Sequence, residues 1–390
     1  MHRFIVVAAM LGLLAASGCA TRKDDSAQPA ADIHQAALYV SGKGGYASYR
    51  IPALVVTKQG TLLAFCEGRV KGSSDNGNID LVLKRSTDGG NTWLPMQVLV
   101  NDQTNACQNP APVVDQRTGD IILPFTKKDG ATSEDAILRK EGPPISVWVM
   151  RSQDDGATWS TPVEITSQVS KPEFLWYATG PGHSIQLRDG TLLVPCDNRV
   201  GPEVDHMFSH AILSKDGGHT WQLGGIAGPK VNECIAVELA DGRVCLNMRS
   251  YFGDNRRRVS FSNDGGLSWT PVQVAPALVE PVCQASILRV QLKQGGSKDA
   301  LIFSNPASTK RERMTVRLSY DSGMTWPIAW VLHGGPAAYS DLASLKDGSI
   351  ACFYECGEKN PYETITFARF SQKGLALSTG ATPPVKLGDQ

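Results

Sequence analysis

The sequence predicts an all-β chain, a six-bladed β-propeller of four-stranded antiparallel blades, and three features predict it. The 390 residues include 38 Gly and 23 Pro along the whole length, which is typical of short strands joined by tight turns. Five segments repeat an aspartate-containing turn, and six repeat a glycine turn that leads into an apolar strand. The alternatives are an open solenoid or two β-sandwiches, but neither explains paired turns in units of about 58 residues.

The start of the chain, residues 1–18, resembles a bacterial lipoprotein signal peptide. Arg3 supplies a positive charge, Ile5–Leu14 an apolar segment, and Ala16–Gly18 the small residues before Cys19. We therefore expect cleavage before Cys19 and lipidation of its thiol. An ordinary secretory signal is the alternative, and either signal exports the protein.

The rest of the chain divides into a tether and one folded domain. Residues 19–35 are polar and Ala/Pro-rich, which predicts a flexible tether, and residues 36–390 are assigned to the propeller. No later stretch is long and apolar enough for a membrane span. The expected location is the periplasmic or cell-surface side of a bacterial membrane, with contact to lipid only through the anchor, or otherwise secretion. We expect a monomer.

Charge and cysteine content indicate which partners and cross-links to expect. Lys+Arg and Asp+Glu both number 38, and no long run of one sign occurs, which argues against a nucleic-acid partner. Most cysteines after Cys19 lie in apolar runs, where a thiol behaves as a small buried hydrophobe, so no disulfide is predicted. These eight are Cys66, Cys107, Cys196, Cys234, Cys245, Cys283, Cys352 and Cys356.

The aspartate turn is interpreted as a structural element between the third and fourth strands of a unit. Its Asp is suited to bind turn amides, and the glycine two positions later supplies a backbone shape that other residues resist. The Trp at its end is expected to pack on a neighbour. The five copies are Ser86–Trp93, Ser152–Trp159, Ser214–Trp221, Ser262–Trp269 and Ser319–Trp326.

The glycine turn is expected to join the first and second strands of each unit. Five copies are followed by an aspartate turn, and the sixth only by a degenerate remnant at Ser371. The turn glycines are Gly60, Gly119, Gly190, Gly242, Gly296 and Gly348.

This order of turns predicts where functional residues lie. Antiparallel strands alternate in direction, so both kinds of turn lie on one face and the remaining loops and links lie on the other. Eight polar residues fall on this second face, and although any one could be a solvated surface group, together they indicate a site. They are Arg50, Arg69, Asp75, Glu233, Arg249, Arg311, Tyr339 and Glu355.

Several short motifs resemble the exo-sialidase (neuraminidase) family of glycoside hydrolases. They are YRIP at 49–52, NEC at 232–234, NMR at 247–249 and YSDL at 339–342, together with the five aspartate turns. The resemblance covers almost everything after the tether. Aspartate turns also occur in propellers with no hydrolase function, so the arginines and the tyrosine carry the functional part.

The resemblance implies a binding site for the carboxylate of sialic acid. Arg50, Arg249 and Arg311 match the three arginines that grip this group, and planar guanidiniums suit bidentate hydrogen bonds to a carboxylate. Arg311 is preferred to Arg313 because the family pattern has its arginine at that distance from the following strand. Glu355 resembles the glutamate that orients the first arginine.

The resemblance also implies the catalytic roles. Tyr339 is the nucleophile, Glu233 its general base and Asp75 the acid/base at the leaving oxygen. A neutral phenol avoids the repulsion that a carboxylate would meet beside the substrate's own carboxylate. Arg69 is expected to contact a ring hydroxyl. Asp80 is an alternative acid, but it begins an apolar strand, and a loop suits a proton donor better.

These roles predict retaining hydrolysis of terminal α-linked sialic acids through a covalent intermediate on Tyr339. The expected partners are sialylated glycans of glycoproteins, glycolipids and oligosaccharides, and no cofactor is expected. The alternatives are a related nonulosonic-acid hydrolase or a trans-sialidase on the same scaffold, or a non-catalytic carbohydrate-binding propeller that has lost some of the site residues.

Two weaker signals remain. His206 and His210 stand four residues apart, but in a predicted strand and without the Glu of a zinc motif, so no metal site is predicted. Residues 126–144 and 170–184 look like insertions on the functional face. The second carries aromatic residues that form either part of the sugar pocket or the packing of a long loop. These residues are Phe174, Trp176 and Tyr177.

Overall fold

The computed structural model describes residues 33–292 and 298–377, which form an all-β domain with a few short helices. The strands are β1 (Ile33–Val40), β2 (Ser48–Val56), β3 (Leu62–Arg69), β4 (Ile79–Ser86), β5 (Gln97–Val100), β6 (Ala106–Gln108), β7 (Val113–Val114), β8 (Ile121–Lys128), β9 (Ser146–Ser152), β10 (Val163–Glu164), β11 (Trp176–Thr179), β12 (Ile185–Gln186), β13 (Leu192–Arg199), β14 (Met207–Ser214), β15 (Gln222–Ala227), β16 (Val231–Glu238), β17 (Val244–Ser250), β18 (Arg256–Ser262), β19 (Gln273–Val279), β20 (Ser286–Leu292), β21 (Lys298–Pro306), β22 (Glu312–Ser319), β23 (Ile328–Ser344), β24 (Ile350–Cys356) and β25 (Thr364–Phe370). The helices are α1 (Glu134–Leu138), α2 (Thr166–Val169), α3 (Gln372–Leu377) and a 3-10 turn (Val204–His206). None of the described helices has the length and apolar character that crossing a membrane requires.

Antiparallel runs of four strands repeat along the described chain, mostly as predicted. Strands β16 to β19 form one separate sheet, and β13 to β15 form another in which β11 and β12 share the first position. The other strands form two larger sheets. In one, the 17-residue β23 pairs with β22 through its first half and with β24 through its second. In the other, a parallel bridge between Ile79 and Ala106 joins two runs. At these two links hydrogen bonding continues between units that the sequence predicted to be separate.

The aspartate turns join third and fourth strands, as predicted. In the first, Asp88 accepts hydrogen bonds from the Thr92 amide at 2.9 Å and the Thr92 hydroxyl at 2.6 Å. Trp93 donates to the Gly90 carbonyl at 3.2 Å. Gly90 has φ +92°, and a Cβ there would collide with the ring of Phe367 on another sheet. The hydrogen bond from the backbone amide four residues later to the aspartate carboxylate recurs at Asp154, Asp216, Asp264 and Asp321.

The core lies within and between neighbouring four-stranded runs, for example between β8 and β13 and between β13 and β16. Trp159 of the second aspartate turn meets Phe65 edge-on at 5.8 Å, and Trp326 meets Phe303 at 5.6 Å. Burying a ring of this size contributes about 1.5–3 kcal/mol relative to leaving it exposed. Fully buried rings include Phe65, Phe125, Phe303, Phe353, Phe367 and Phe370. The eight cysteines in the described residues are free and buried.

The first described strand closes against the last. Strand β1 pairs with β25, and Ile33 stands opposite Phe370. The strand therefore begins at Ile33, three residues before the boundary predicted at residue 36, because residues 33–35 already pair with β25. The predicted signal peptide, Cys19, most of the tether, the turn at Gly296 and residues 378–390 lie outside the described residues.

Candidate active site

An open cavity of about 440 Å³ brings the predicted residues together at the strand ends away from the aspartate turns. Six of the eight residues line it: Arg50, Asp75, Glu233, Arg249, Arg311 and Tyr339. The other two lie directly behind this lining, where Arg69 contacts Asp75 and Glu355 contacts Arg50. The positional argument from strand direction therefore agrees with the structure for the whole set.

Three guanidinium groups from different parts of the fold surround Tyr339. Arg50 lies on β2, Arg249 on β17, and Arg311 just before β22. The guanidinium carbons of Arg50 and Arg311 lie 5.0 and 5.5 Å from the centre of the Tyr339 ring. Arg249 Nη1 donates to the Tyr339 hydroxyl at 3.1 Å. Three cations around one opening form a site suited to a planar anion such as a carboxylate.

Tyr339 and Glu233 form a hydrogen-bonded pair in the cavity lining. The Tyr339 hydroxyl donates to Glu233 Oε1, and Arg249 Nη1 donates to Glu233 Oε2 at 2.7 Å. Tyr339 lies on β23 and is only 5% exposed. Its burial and the negative charge of Glu233 raise the pKa of Tyr339 well above its ordinary value, despite the arginines. The phenol is therefore protonated at neutral pH, with a carboxylate placed to accept its proton.

Glu355 is a buried anchor beneath Arg50. Its Oε1 accepts from Arg50 Nε at 3.1 Å and from the Ile51 amide at 2.9 Å, and its Oε2 accepts from the Tyr339 amide at 3.1 Å. Burial lowers the pKa of Arg50, but the ion pair with Glu355 outweighs it and the pKa lies above its ordinary value. One carboxylate thus keeps the first arginine charged and ties it to the strand of the tyrosine.

Asp75 stands in the loop after β3, with a side chain that is 64% exposed. Arg69 Nη2 lies 2.7 Å from its carboxylate and Arg50 Nη1 3.8 Å. Partial desolvation by the surrounding cavity raises the pKa of Asp75, but the two guanidiniums outweigh it and hold the pKa below its ordinary value. Arg69 is held from behind by Glu67, a fully buried carboxylate that accepts from Arg69 Nε at 2.9 Å. Sequence reasoning missed Glu67, although it stands two residues before Arg69.

The two alternative candidates from the sequence, Asp80 for the acid and Arg313 for the third arginine, lie outside the cavity lining. Asp80 is buried and accepts hydrogen bonds from the Tyr46 hydroxyl at 2.6 Å and the Asn101 amide at 3.0 Å, away from the cavity lining. Arg313 is exposed with φ 61°, whereas Arg311 lines the cavity. The geometry therefore favours Asp75 over Asp80 and Arg311 over Arg313.

The predicted insertions and strand β13 supply a further wall of the cavity. Helix α1, within residues 126–144, carries Glu134, which forms an ion pair with Arg199 of β13, and both line the cavity. Asp197 lines it too, and burial raises the pKa of this carboxyl well above its ordinary value. Trp176 comes from the second insertion. Of the residues in this wall, the sequence indicated only Trp176, either as part of the sugar pocket or as packing of a long loop.

The other two aromatic residues of that insertion pack a long loop and are not part of the cavity lining. Phe174 and Tyr177 are buried against His210, with ring centres 5.5 and 4.9 Å from the imidazole. Burial lowers the pKa of His210 to about 3. His206 lies in the 3-10 turn. In the described part of the chain, no group of three His, Cys, Asp or Glu side chains is placed to hold a metal ion.

Tyr362 lines the cavity and was also missed. It lies in the loop between β24 and β25, where Arg311 Nη1 donates to its hydroxyl at 2.7 Å. The guanidinium carbon of Arg50 lies 4.2 Å from the centre of its ring. The only signal in the sequence is its place in a loop after the second strand of a unit, the class of position that Asp75 also occupies.

Comparisons with known proteins find relatives over most of the chain. A family model described as a BNR repeat-like domain matches residues 60–352. The chain is 35% identical over 371 residues to a sialidase of Micromonospora viridifaciens, and the match covers 90% of this chain and 55% of that protein. It is 34% identical over 339 residues to a sialidase of Bacteroides fragilis, covering 81% and 61%. The chain thus spans between half and two thirds of the length of these two relatives.

A solved structure shares the fold. The structure of the Hadza microbial sialidase Hz136 matches with a TM-score of 0.79 at 32% identity, and the match covers 87% of this chain and 69% of that one.

Proposed function

The chain belongs to the sialidase (neuraminidase) family, and we propose that it is an exo-α-sialidase that removes terminal α-linked sialic acids from glycoconjugates with retention of configuration. One observation carries the proposal: guanidiniums from three separated strands or loops surround a tyrosine that is hydrogen-bonded to a glutamate. Sialic acid carries its carboxylate on the anomeric carbon, so a group that binds the carboxylate also brings that carbon to Tyr339.

Substrate binding is proposed to depend on the arginines. Arg50, Arg249 and Arg311 bind the carboxylate, and Glu355 keeps Arg50 in place through its buried ion pair. The bound carboxylate also reduces the positive potential that Arg50 exerts on Asp75, which lies 3.8 Å away. This favours the protonated form of Asp75 that the first step needs.

The first step forms a covalent sialyl-enzyme. The Tyr339 oxygen forms a bond to the anomeric carbon while the bond from that carbon to the glycosidic oxygen breaks. The phenolic proton passes to Glu233, to which it is already hydrogen-bonded. Asp75 gives its proton to the departing oxygen.

The second step releases sialic acid. Asp75, now a carboxylate, takes a proton from a water molecule as that water attacks the anomeric carbon. The bond to Tyr339 breaks, and the phenolate regains its proton from Glu233. Each step inverts the anomeric carbon, so the product has the configuration of the substrate.

The four-stranded runs are proposed to form a closed six-bladed β-propeller. Contacts between the first and last runs support closure. Strand β1 pairs with β25, and the Leu54 amide of β2 donates to Asp341 on β23 at 2.8 Å. Trp93 of the first aspartate turn packs on Phe367 of β25 at 5.2 Å. Closure of this kind sets residues from both ends of the domain side by side in one cavity.

The location and assembly are proposals from the sequence. The protein is exported and held at a membrane by a lipid on Cys19, acts as a single copy, and meets sialylated glycans on proteins, lipids and oligosaccharides. The order of a charged, an apolar and a small-residue segment before Cys19 supports the anchor.

The test is turnover of a fluorogenic α-sialoside by the purified protein. Tyr339→Phe is expected to lower kcat by about a thousandfold or more, because the nucleophilic oxygen is removed. Tyr320→Phe is the matched control, since that tyrosine is 47% exposed at an aspartate turn. NMR is expected to detect the α-anomer of sialic acid first. No turnover by wild type from mildly acidic to neutral pH, or release of the β-anomer first, would contradict the proposal.

A further inference from the structure

Tyr362 joins two of the three arginines. Its hydroxyl accepts a hydrogen bond from Arg311 Nη1 at 2.7 Å, and its ring lies under the guanidinium of Arg50 at 4.2 Å. The same two guanidiniums also lie over the ring of Tyr339. The Tyr362 side chain therefore lies beside the position at which the carboxylate of a substrate would meet Arg50 and Arg311.

The loop that carries Tyr362 is held in one shape by its own hydrogen bonds. The Glu363 carboxylate accepts from three successive backbone amides, those of residues 358–360, at 2.9–3.0 Å. Asn360 accepts from the Tyr362 amide at 2.9 Å, and the Ser41 hydroxyl donates to the Tyr362 carbonyl at 2.6 Å. A loop fastened in this way presents its side chain in a defined position, which is what a binding group requires.

The hydroxyl still has a hydrogen to donate. A phenol is one donor and also an acceptor, and the contact with Arg311 uses only the acceptor. Among residues 33–292 and 298–377, no side chain or carbonyl accepts a hydrogen bond from the Tyr362 hydroxyl. A carboxylate offers about four acceptor sites, so one hydrogen bond from each of three guanidiniums leaves room for one further donor.

We propose, resting on the function proposed above, that Tyr362 is a fourth binding group for the carboxylate of the substrate. Its hydroxyl accepts from Arg311 and donates its own hydrogen to a carboxylate oxygen, while its ring supports Arg50. The cavity thereby selects an anionic sugar over the same sugar with its carboxyl group esterified.

The expected kinetic signature is a change in KM rather than in kcat. The carboxylate is present in the ground state and in the transition state, so an interaction with it is uniform binding. Tyr362→Phe removes the hydroxyl and keeps the ring beside Arg50. We expect KM for an aryl α-sialoside, and the Kd of free sialic acid, to rise about tenfold, the loss typical of a hydrogen bond to a charged group. The kcat should change by less than about threefold.

The experiment compares wild type with Tyr362→Phe and with the control Tyr320→Phe, whose tyrosine is exposed at an aspartate turn. Each protein is assayed on the aryl α-sialoside and on its C1 methyl ester, and binding of sialic acid is measured by calorimetry. Turnover of the ester should not differ between wild type and Tyr362→Phe. In an Arg311→Ala background, Tyr362→Phe should still weaken sialic acid binding by at least about threefold, because the hydroxyl contacts the anion directly.

Three results would overturn this assignment: a KM within about twofold of wild type, an equal loss on the ester, or no further loss in the Arg311→Ala background. Failure of the proposed function gives a different pattern. In that case wild type itself neither hydrolyses the sialoside nor binds sialic acid. An active wild type with an unchanged Tyr362→Phe variant rejects only the role of Tyr362.

Discussion

The two ends of the strands use carboxylates in different ways. At the aspartate turns the partners are local: Asp88 binds the amide and hydroxyl of Thr92, four residues further on. At the cavity the partners of Glu233 and Glu355 are distant: Glu233 binds Tyr339 across 106 residues, and Glu355 binds Arg50 across 305. One set of carboxylates shapes a turn, and the other joins different sheets.

This difference also governs the cost of losing a charge. The turn carboxylates are exposed, so water screens them and replaces part of what is removed. Glu355 and Arg50 are buried, at 0% and 7% side-chain exposure, and water cannot take the place of a missing partner. Charge changes at the cavity should therefore affect both stability and activity, whereas those at the turns should affect stability alone and only slightly.

The largest effect is expected from Glu355→Gln. The substitution keeps the shape but removes the buried counter-charge of Arg50 and leaves only the exposed Asp75 carboxylate, 3.8 Å away. Breaking a buried ion pair typically costs about 3–5 kcal/mol of stability. It also loosens the first arginine, so kcat/KM for a sialoside should fall by at least about a hundredfold. Denaturant unfolding and steady-state kinetics measure the two effects.

The matched control for this change is Glu238→Gln. Glu238 lies near the glycine turns, 3.9 Å from the exposed Arg188. Its activity should remain within about twofold of wild type. Equal stability losses in the two variants would remove the distinction between the two ends of the strands.

An intermediate effect is expected from Asp75→Asn. Loss of the acid should lower kcat by about 10²–10⁴-fold on a natural sialyl-oligosaccharide and by less on an aryl sialoside, whose leaving group needs little protonation. Asp254→Asn is the control, because Asp254 pairs with Arg258 outside the cavity lining. Equal losses on both substrates would contradict the acid role.

The pH profile tests the same residue. Partial desolvation in the cavity raises the pKa of Asp75, but Arg69 and Arg50 hold the pKa below its ordinary value. The protonated form is therefore lost at low pH, so kcat/KM on the natural substrate should decline as pH rises from acidic to neutral. Stability has the opposite sign: a lowered folded pKa adds stability above the unfolded pKa, and this is lost as pH falls through the folded pKa. The descending limb should be absent in Asp75→Asn.

The same contrast explains what the sequence could predict. The aspartate turns were located because all the partners of Asp88 lie within one motif. Strand direction then assigned Arg50 and Glu355 to the correct edge, but their roles came from family resemblance and not from spacing. Tyr362 was missed because its partner Arg311 lies 51 residues away in another loop. The start of β1 at Ile33 was not predicted for a similar reason, because its partner Phe370 lies near the other end of the described chain.

The smallest effect is expected from Asp88→Asn. The hydroxyl and amide of Thr92 lower the pKa of Asp88 to about 2. The ionised carboxylate thus adds stability above the unfolded pKa of about 3.9, and this is lost as pH falls through the folded value. At neutral pH the variant should lose about 2 °C or less in Tm, because the group is exposed and screened. The deficit should shrink near pH 3, and sialoside turnover should be unchanged. A large loss of turnover would mean that a charge change at an aspartate turn alters the cavity at the other end of the strands. That result would contradict the expected independence of the two ends.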